Sequence, residues 1–321
     1  MHNIREALAE GSASLAAAGI ESPSLDASLL LAQALKISRS ALLAAGPQPL
    51  TDSALADFHG LIRRRLGGEC VAYILGRKEF YGLDFQVNPS VLVPRPETET
   101  LVATTLDVTK ATHKDAKAQS TKKKPNQPLC LRASVPPCEQ IPKNSIRVLD
   151  LCTGSGAVAI ALKHAMPQLE VWATDISAEA LETAKTNAAH LLPPDSIRFF
   201  HGDLFESPFP VPCSPFPVIV TNPPYIPTAD IPSLSPEVRG EPALALDGGS
   251  DGLHIIRRII AAAPEYLCPG GILLLEADPR QMQKIVALLE ENGFLDIRIY
   301  RDLSGSERVI AGEKSMETSN G

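Results

Sequence analysis

From Ile146 onward, short apolar runs alternate with stretches of helical period, and no other feature of the chain restricts its fold as strongly. I-R-V-L-D-L (146–151), E-V-W-A-T-D (170–175), I-R-F-F-H-G-D (197–203), F-P-V-I-V-T-N (216–222) and G-I-L-L-L-E (271–276) read as strands. L-D-I-R-I-Y (295–300) and E-R-V-I-A (307–311) add two more. Helical spacing fills 156–166, 177–190 with Ser177 as its N-cap, 251–267 and 279–291. This alternation predicts an α/β fold, a mostly parallel sheet with helices on both faces. Such sheets bind ligands at the carboxyl ends of their strands. Asp150, Asp175, Asp203 and Asn222 all fall at those ends and outline a pocket.

The first strand runs into D-L-C-T-G-S-G-A, residues 150–157. Gly154 and Gly156 permit a tight turn and a close approach of ligand to backbone. Asp175 follows at the end of the next strand, at a distance suited to a carboxylate accepting two hydrogen bonds from a ribose diol. With Ala159 the run also satisfies G-x-G-x-x-A, so the loop by itself fits a nicotinamide dehydrogenase as well as a methyltransferase. Asp203, in H-G-D-L-F, can accept from an adenine amino group.

The rest of the chain is organised differently. Residues 1–75 show helical spacing of leucines, broken by Gly19, Pro23, Pro47 and Pro49 into three or four helices. The basic run Arg63–Arg65 is expected on a solvated helix face. E-F-Y-G-L-D-F-Q-V-N-P alternates, which predicts a β-hairpin linker over 76–93. Pro96 suits a first helical turn with acids following it. Residues 107–145 are rich in lysine and proline and are expected to form a flexible insertion in the domain 94–321.

The net charge of −7 disfavours a nucleic acid partner, whose phosphates call for a basic face. No run reaches the roughly 18 apolar residues that a membrane span needs, and the first residues lack a signal peptide's apolar core. A cytoplasmic protein is expected. The six cysteines are scattered without a C-x-x-C pair, so neither a zinc site nor a disulfide framework is indicated.

After the fourth strand comes N-P-P-Y, residues 222–225. The order D-L-C-T-G-S-G, acid-ended strand, G-D and N-P-P-Y resembles the class I S-adenosylmethionine-dependent methyltransferases, among them enzymes that methylate planar nitrogens. Y-I-L-G-R-K-E-F-Y-G-L-D-F-Q-V (73–87), V-L-V-P-R-P-E-T-E (91–99), N-P-P-Y-I-P (222–227), V-R-G-E-P-A-L-A-L-D-G-G-S-D-G-L (238–253) and G-G-I-L-L-L-E (270–276) resemble one family closely, the release factor glutamine methyltransferases, also called PrmC/HemK. That resemblance spans nearly the whole chain, the insertion apart. It implies a seven-stranded Rossmann-like domain behind a small helical N-terminal domain that grips the substrate. The implied reaction moves a methyl from S-adenosylmethionine to a glutamine side-chain nitrogen, N5, in the Gly-Gly-Gln loop of a peptide chain release factor. S-adenosylhomocysteine leaves, and no metal is implied.

The resemblance also implies roles. Cys152, Thr153, Gly154, Ser155 and Gly156 would approach the cofactor, Asp175 its ribose, and Asp203 and Leu204 its adenine. Arg95, Pro96, Glu97, Thr98 and Glu99 would wall the pocket. Asn222, Pro223, Pro224 and Tyr225 would take the glutamine. An amide nitrogen is a poor nucleophile because its lone pair is delocalised. The Asn222 side-chain oxygen and the Pro223 carbonyl can accept its two N–H groups, and the prolines hold both acceptors rigid. Tyr225 offers a flat face to the planar amide. No strong base is needed, because the methylated cation sheds its proton readily. The sequence departs from many relatives at Cys152 and Leu204, and at E-A-D (276–278), where only local loop shape is affected.

Three other readings stand beside this one: an adenine-N6 or guanine-N2 nucleic acid methyltransferase, a dehydrogenase, and a non-catalytic ribosome-associated adaptor that binds the cofactor. The first lacks a visible target-recognition domain. The other two have no use for the acceptor pair of N-P-P-Y.

Overall fold

Residues 3–120, 146–206 and 216–316 are described by a computed structural model. The first of these segments begins with five helices: α1 (Ile4–Ala17), α2 (Pro23–Leu35), α3 (Arg39–Ala44), α4 (Asp52–Leu66) and α5 (Val71–Leu75). Their starts follow from local chemistry. Asn3 and Glu6 form a reciprocal capping box, Pro23 occupies the first turn of α2, and the Thr51 hydroxyl accepts from Ala54 N–H. Leu15, Leu30, Leu31 and Phe58 are fully buried between these helices, which thus carry a core of their own.

The hairpin consists of β1 (Arg77–Phe80) and β2 (Leu83–Gln86), paired antiparallel. Tyr81 and Gly82 close it at φ 52° and 75°, the left-handed pair of a two-residue turn. Helix α6 (Glu99–Ser120) follows. Residues 107–120 are therefore helical, where composition predicted the start of a flexible insertion. Leu101, Val102 and Leu106 dock the helix on the sheet, and its continuation through alanine and lysine costs little. The other part of the expected insertion, 121–145, lies outside the described residues.

Next come β3 (Arg147–Leu151), α7 (Ala157–Ala165), β4 (Glu170–Asp175), α8 (Ala178–Leu191), β5 (Ile197–His201) and β6 (Phe216–Thr221). Short helices α9 (Pro236–Arg239) and α10 (Ala243–Leu246) lead to α11 (His254–Tyr266), β7 (Leu267–Glu276), α12 (Met282–Glu291), β8 (Phe294–Arg301) and β9 (Glu307–Lys314). As predicted, Ser177 caps α8, its hydroxyl accepting from Ala180 N–H.

The sheet has seven strands in the order β5-β4-β3-β6-β7-β9-β8, with β9 antiparallel to both its neighbours. Successive residues point to opposite faces, and both faces are covered, so the central strands are apolar throughout. Val148, Val218, Val220 and Leu274 pack on one side with α6 and α7. Leu149, Leu151, Ile219, Leu273 and Leu275 pack on the other with α11 and α12. The chain moves outward from β3 to β5 and then returns to the far side of β3. That reversal opens a crevice between the ends of β3 and β6. Leu151 pairs with Thr221, so the loops after these strands emerge side by side. No helix among the described residues is long and apolar enough to cross a membrane.

Candidate active site

The loop after β3 is shaped by left-handed backbone at Cys152, Gly154 and Gly156, at φ 58°, 56° and 81°. The two glycines serve different ends. A Cβ on Gly156 would lie 2.9 Å from Ile160 Cδ1, so this glycine permits packing. A Cβ on Gly154 would meet nothing within 4 Å, so this residue faces open space. Gly154 N–H donates to Asp175 Oδ2 at 2.8 Å, and Ser177 N–H donates to Asp175 Oδ1 at 2.9 Å. Asn187, fully buried in α8, accepts from Gln86 N–H and donates to Gln86 O and Ser155 O. It ties the hairpin to the same loop.

Asp150 lies one residue before the end of β3, and its carboxylate supports the loop from beneath. Oδ2 accepts from Thr153 Oγ1 at 2.7 Å and from Ala159 N–H at 3.2 Å. Burial pushes this carboxyl from 3.8 up to about 7, against the pull of those two bonds. A carboxyl raised in the fold binds its proton more tightly there than in the unfolded chain. Its contribution to stability is complete below about 4 and is lost as pH rises toward 7. Asp150→Asn keeps an oxygen for both donors. It is expected to flatten the fall of the thermal midpoint between about pH 4 and 7. An unchanged slope would assign that fall to other groups.

A cavity of about 350 Å³ opens over the loop. Cys152, Thr153, Gly154, Ser155, Asp175, Asp203, Leu204, Asn222 and Pro224 line it, together with Arg95 and Thr98. Val158, Leu244, Ala245 and Ile255 add apolar wall. Gly156 is the N-cap of α7 and does not line the cavity. Pro96, Glu97 and Glu99 do not line it either. They border a groove between α6 and the β8–β9 turn, where the Glu99 carboxylate accepts from Tyr81 N–H at 3.0 Å. The Asp203 carboxylate also has a partner that the sequence did not suggest: Arg258 of α11, at 2.8 Å. Leu204 is buried at φ 51°.

A second pocket of about 290 Å³ adjoins the first. Asn222, Pro223, Tyr225, Arg95, Glu97, Glu276 and Arg308 are among its walls. Asn222 and Arg95 line both spaces. Asn222 Nδ2 donates to Thr98 Oγ1 at 3.2 Å, which turns the Asn222 carbonyl oxygen away from Thr98. Tyr225 is anchored from behind, because Gln281 Nε2 donates to Tyr225 O at 2.9 Å. Gly248 and Gly252 lie so close that a Cβ would fall 2.8 Å from Tyr225 Cα and 2.2 Å from Tyr225 O. The glycines of D-G-G-S-D-G are therefore the seat of the N-P-P-Y loop.

Two carboxylates extend the site beyond the residues singled out by sequence. Glu241 accepts from Val93 N–H at 3.1 Å and pairs with Arg95, which fixes that side of the entrance. Glu276 closes β7 with 1% exposure, and burial raises it to about 7. The strand-end rule that marked the other acids also applies to Glu276. Arg65 departs from the expected solvated face: it is buried, and pairs with Asp26 at 2.8 Å and with Glu237. Arg63 and Arg64 are exposed.

A sheet of this order, with a glycine loop after β3, an acid closing β4 and Asn-Pro-Pro-Tyr after β6, defines a class I methyltransferase. The hMettl16 catalytic domain, solved in complex with MAT2A 3′UTR hairpin 6, shares this fold at TM-score 0.53 and 13% identity, over 81% of this chain and 83% of that one. Residues 6–76 match the PrmC N-terminal domain, and residues 138–232 match the methyltransferase small domain. The release factor glutamine methyltransferase of Geobacter sulfurreducens is 39% identical over 93% of this chain and 92% of its own. That of Moorella thermoacetica is 37% identical over 98% and 99%. The chain belongs to the release factor glutamine methyltransferase family.

Proposed function

We propose that this protein transfers a methyl group from S-adenosylmethionine to the side-chain nitrogen N5 of the glutamine in the Gly-Gly-Gln loop of a peptide chain release factor. The observation that carries this reading is the position of Asn222. It stands at the junction of the two pockets, with its amide nitrogen engaged by Thr98 and its oxygen left for a ligand. The first cavity suits the donor. Its floor at Gly154 is open, the Asp175 carboxylate retains lone pairs for a ribose diol, and Leu204, Leu244 and Ile255 offer apolar surface to a base. S-adenosylmethionine supplies an electrophilic methyl carbon, whose bond to sulfur breaks as the bond to nitrogen forms and S-adenosylhomocysteine leaves.

The protein's part is to hold and polarise the glutamine amide. Asn222 Oδ1 and Pro223 O accept its two N–H groups, which concentrates the lone pair on the side facing the donor. Tyr225, mostly buried and with its hydroxyl pushed up by burial, stays neutral and offers its ring face. The nitrogen sheds one proton after transfer. The N-terminal helices grip the release factor, and their Arg65 reaches Glu237 on the segment that follows N-P-P-Y. Incubation with methyl-labelled donor and either purified release factor or total nucleic acid separates the classes of substrate. Label is expected in the protein. Label in nucleic acid alone would overturn the proposal.

A further inference from the structure

We infer that Gln281 is a positioning residue for methyl transfer: its side-chain amide clamps both sides of the neck of a strap that walls the two pockets, and so holds Tyr225 and Pro223 in place against the substrate. The inference rests on the reading of the second pocket as the seat of the glutamine amide.

The strap is the chain from Ile226 to Gly249. It leaves the N-P-P-Y loop, passes through α9 and α10, and returns beside its own start. Backbone bonds zip its neck. Ile226 N–H donates to Leu246 O at 3.0 Å, Gly248 N–H to Ile226 O at 2.8 Å and Thr228 N–H to Gly249 O at 3.0 Å. Val238 and Leu246 of the strap line the second pocket, Pro242 and Leu244 the first, and Ala245 both. Where the neck sits on the body therefore shapes both pockets. The zipper does not decide that, because all three of its bonds lie within the strap. Glu237 on Arg65 and Glu241 on Arg95 tie the strap to the body at its middle, well along the chain from Tyr225.

Gln281 attaches the neck. It ends the turn Pro279–Gln281 after β7 and is 7% exposed. Its Nε2 donates to Tyr225 O at 2.9 Å, before the strap, and to Asp251 O at 3.3 Å, after it. A primary amide carries two N–H groups, one for each side. Both partners are carbonyls, so only the NH₂ end can face them. The other end, Oε1, is buried with no hydrogen-bond partner among the described residues. A side chain present only to fill space would not bury an unpaired oxygen, which costs stability. Gly252 completes the fit. A Cβ there would fall 2.2 Å from Tyr225 O and 2.3 Å from Gln281 Nε2, so the bare backbone lets the clamp close. Pro223, whose carbonyl is one of the two acceptors, lies two residues before Tyr225 and moves with it.

Gln281→Met keeps the length of the side chain and removes both donors. It is expected to lower kcat about 10- to 100-fold, because acceptors displaced by about 1 Å lose their alignment on the reacting nitrogen. The Kd for S-adenosylmethionine should rise less than about 5-fold, since Gly154 and Asp175 lie outside the strap. Amide hydrogen exchange in residues 226–249 should quicken about 10-fold, with the sheet and the N-terminal helices unchanged. Gly252→Ala wedges the same contact from the other side and should show the same pattern. The double variant should lose no more than the worse single one, because both act on one contact. A merely structural Gln281 would lower the thermal midpoint and leave the kcat of folded protein at the wild-type value, and that result would overturn the inference. Unchanged exchange in the strap would overturn it as well. Exchange is read without a substrate. Absence of methyl transfer in the wild type, with the strap loosened as expected in the variants, would instead overturn the proposed function.

Discussion

Replacing Asn222 with alanine is expected to lower kcat for glutamine methylation about 10²- to 10³-fold, the cost of losing a preorganised group that acts on the reacting atoms. The affinity for S-adenosylmethionine should change by only a few fold, because Asn222 is one of many residues around that cavity. The loss arises in the chemical step. The amide nitrogen attacks through a lone pair normally shared with its carbonyl, and without Asn222 one of its N–H groups faces no acceptor. The loop should survive, because Gln281, Gly248 and Gly252 hold Tyr225 independently of the Asn222 side chain. Steady-state kinetics with a release factor, beside calorimetric titration of the donor, separates the possibilities. An unchanged kcat with a raised KM would mean that Asn222 binds substrate without polarising it.

The second large effect lies some distance from the chemistry. Arg65→Ala is expected to destabilise the protein by about 3–5 kcal/mol, because it leaves the buried Asp26 carboxylate without its cation. The Arg65 side chain is only 3% exposed, so water cannot substitute for it. For a unit of this size the loss corresponds to a fall of about 10 °C in thermal midpoint. Arg65→Met combined with Asp26→Leu should recover most of it, because an apolar pair of similar volume carries no desolvation penalty. The single variant also frees Glu237, so its KM for the release factor should rise more than its KM for the donor. A midpoint within about 2 °C of wild type would show that the contact contributes little, as exposed pairs do.

What could be read from the sequence follows from period and spacing. Both-face burial makes the inner strands continuous apolar runs, so β3, β4, β6 and β7 stand out, and the polar residues that end them mark the crevice. Helix α6 was harder to read. Leu101, Val102, Leu106 and Val108 pack on the core, and the lysine-rich sequence that follows carries no apolar period to announce that the helix continues to Ser120. The burial of Arg65 is invisible in the sequence for another reason. Its partners lie 39 and 172 residues away, and no local pattern announces a charge that is buried by folding. Arg258 on Asp203 and Thr98 on Asn222 are long-range contacts of the same kind. Their residue types are ordinary, and only the topology brings them together. D-G-G-S-D-G is plain in the sequence, and the task of Gly248 and Gly252, close approach to Tyr225, is visible only in three dimensions.

The central claim is that one glutamine nitrogen of a release factor receives the methyl group. We would incubate the protein with S-adenosylmethionine and a purified release factor, then fragment the peptide that carries Gly-Gly-Gln by tandem mass spectrometry. The expected result is a single added methyl on the glutamine side chain, absent when that glutamine is alanine and absent with Asn222→Ala. A methyl on any other residue of the factor, or methylation that persists in both variants, would contradict the account.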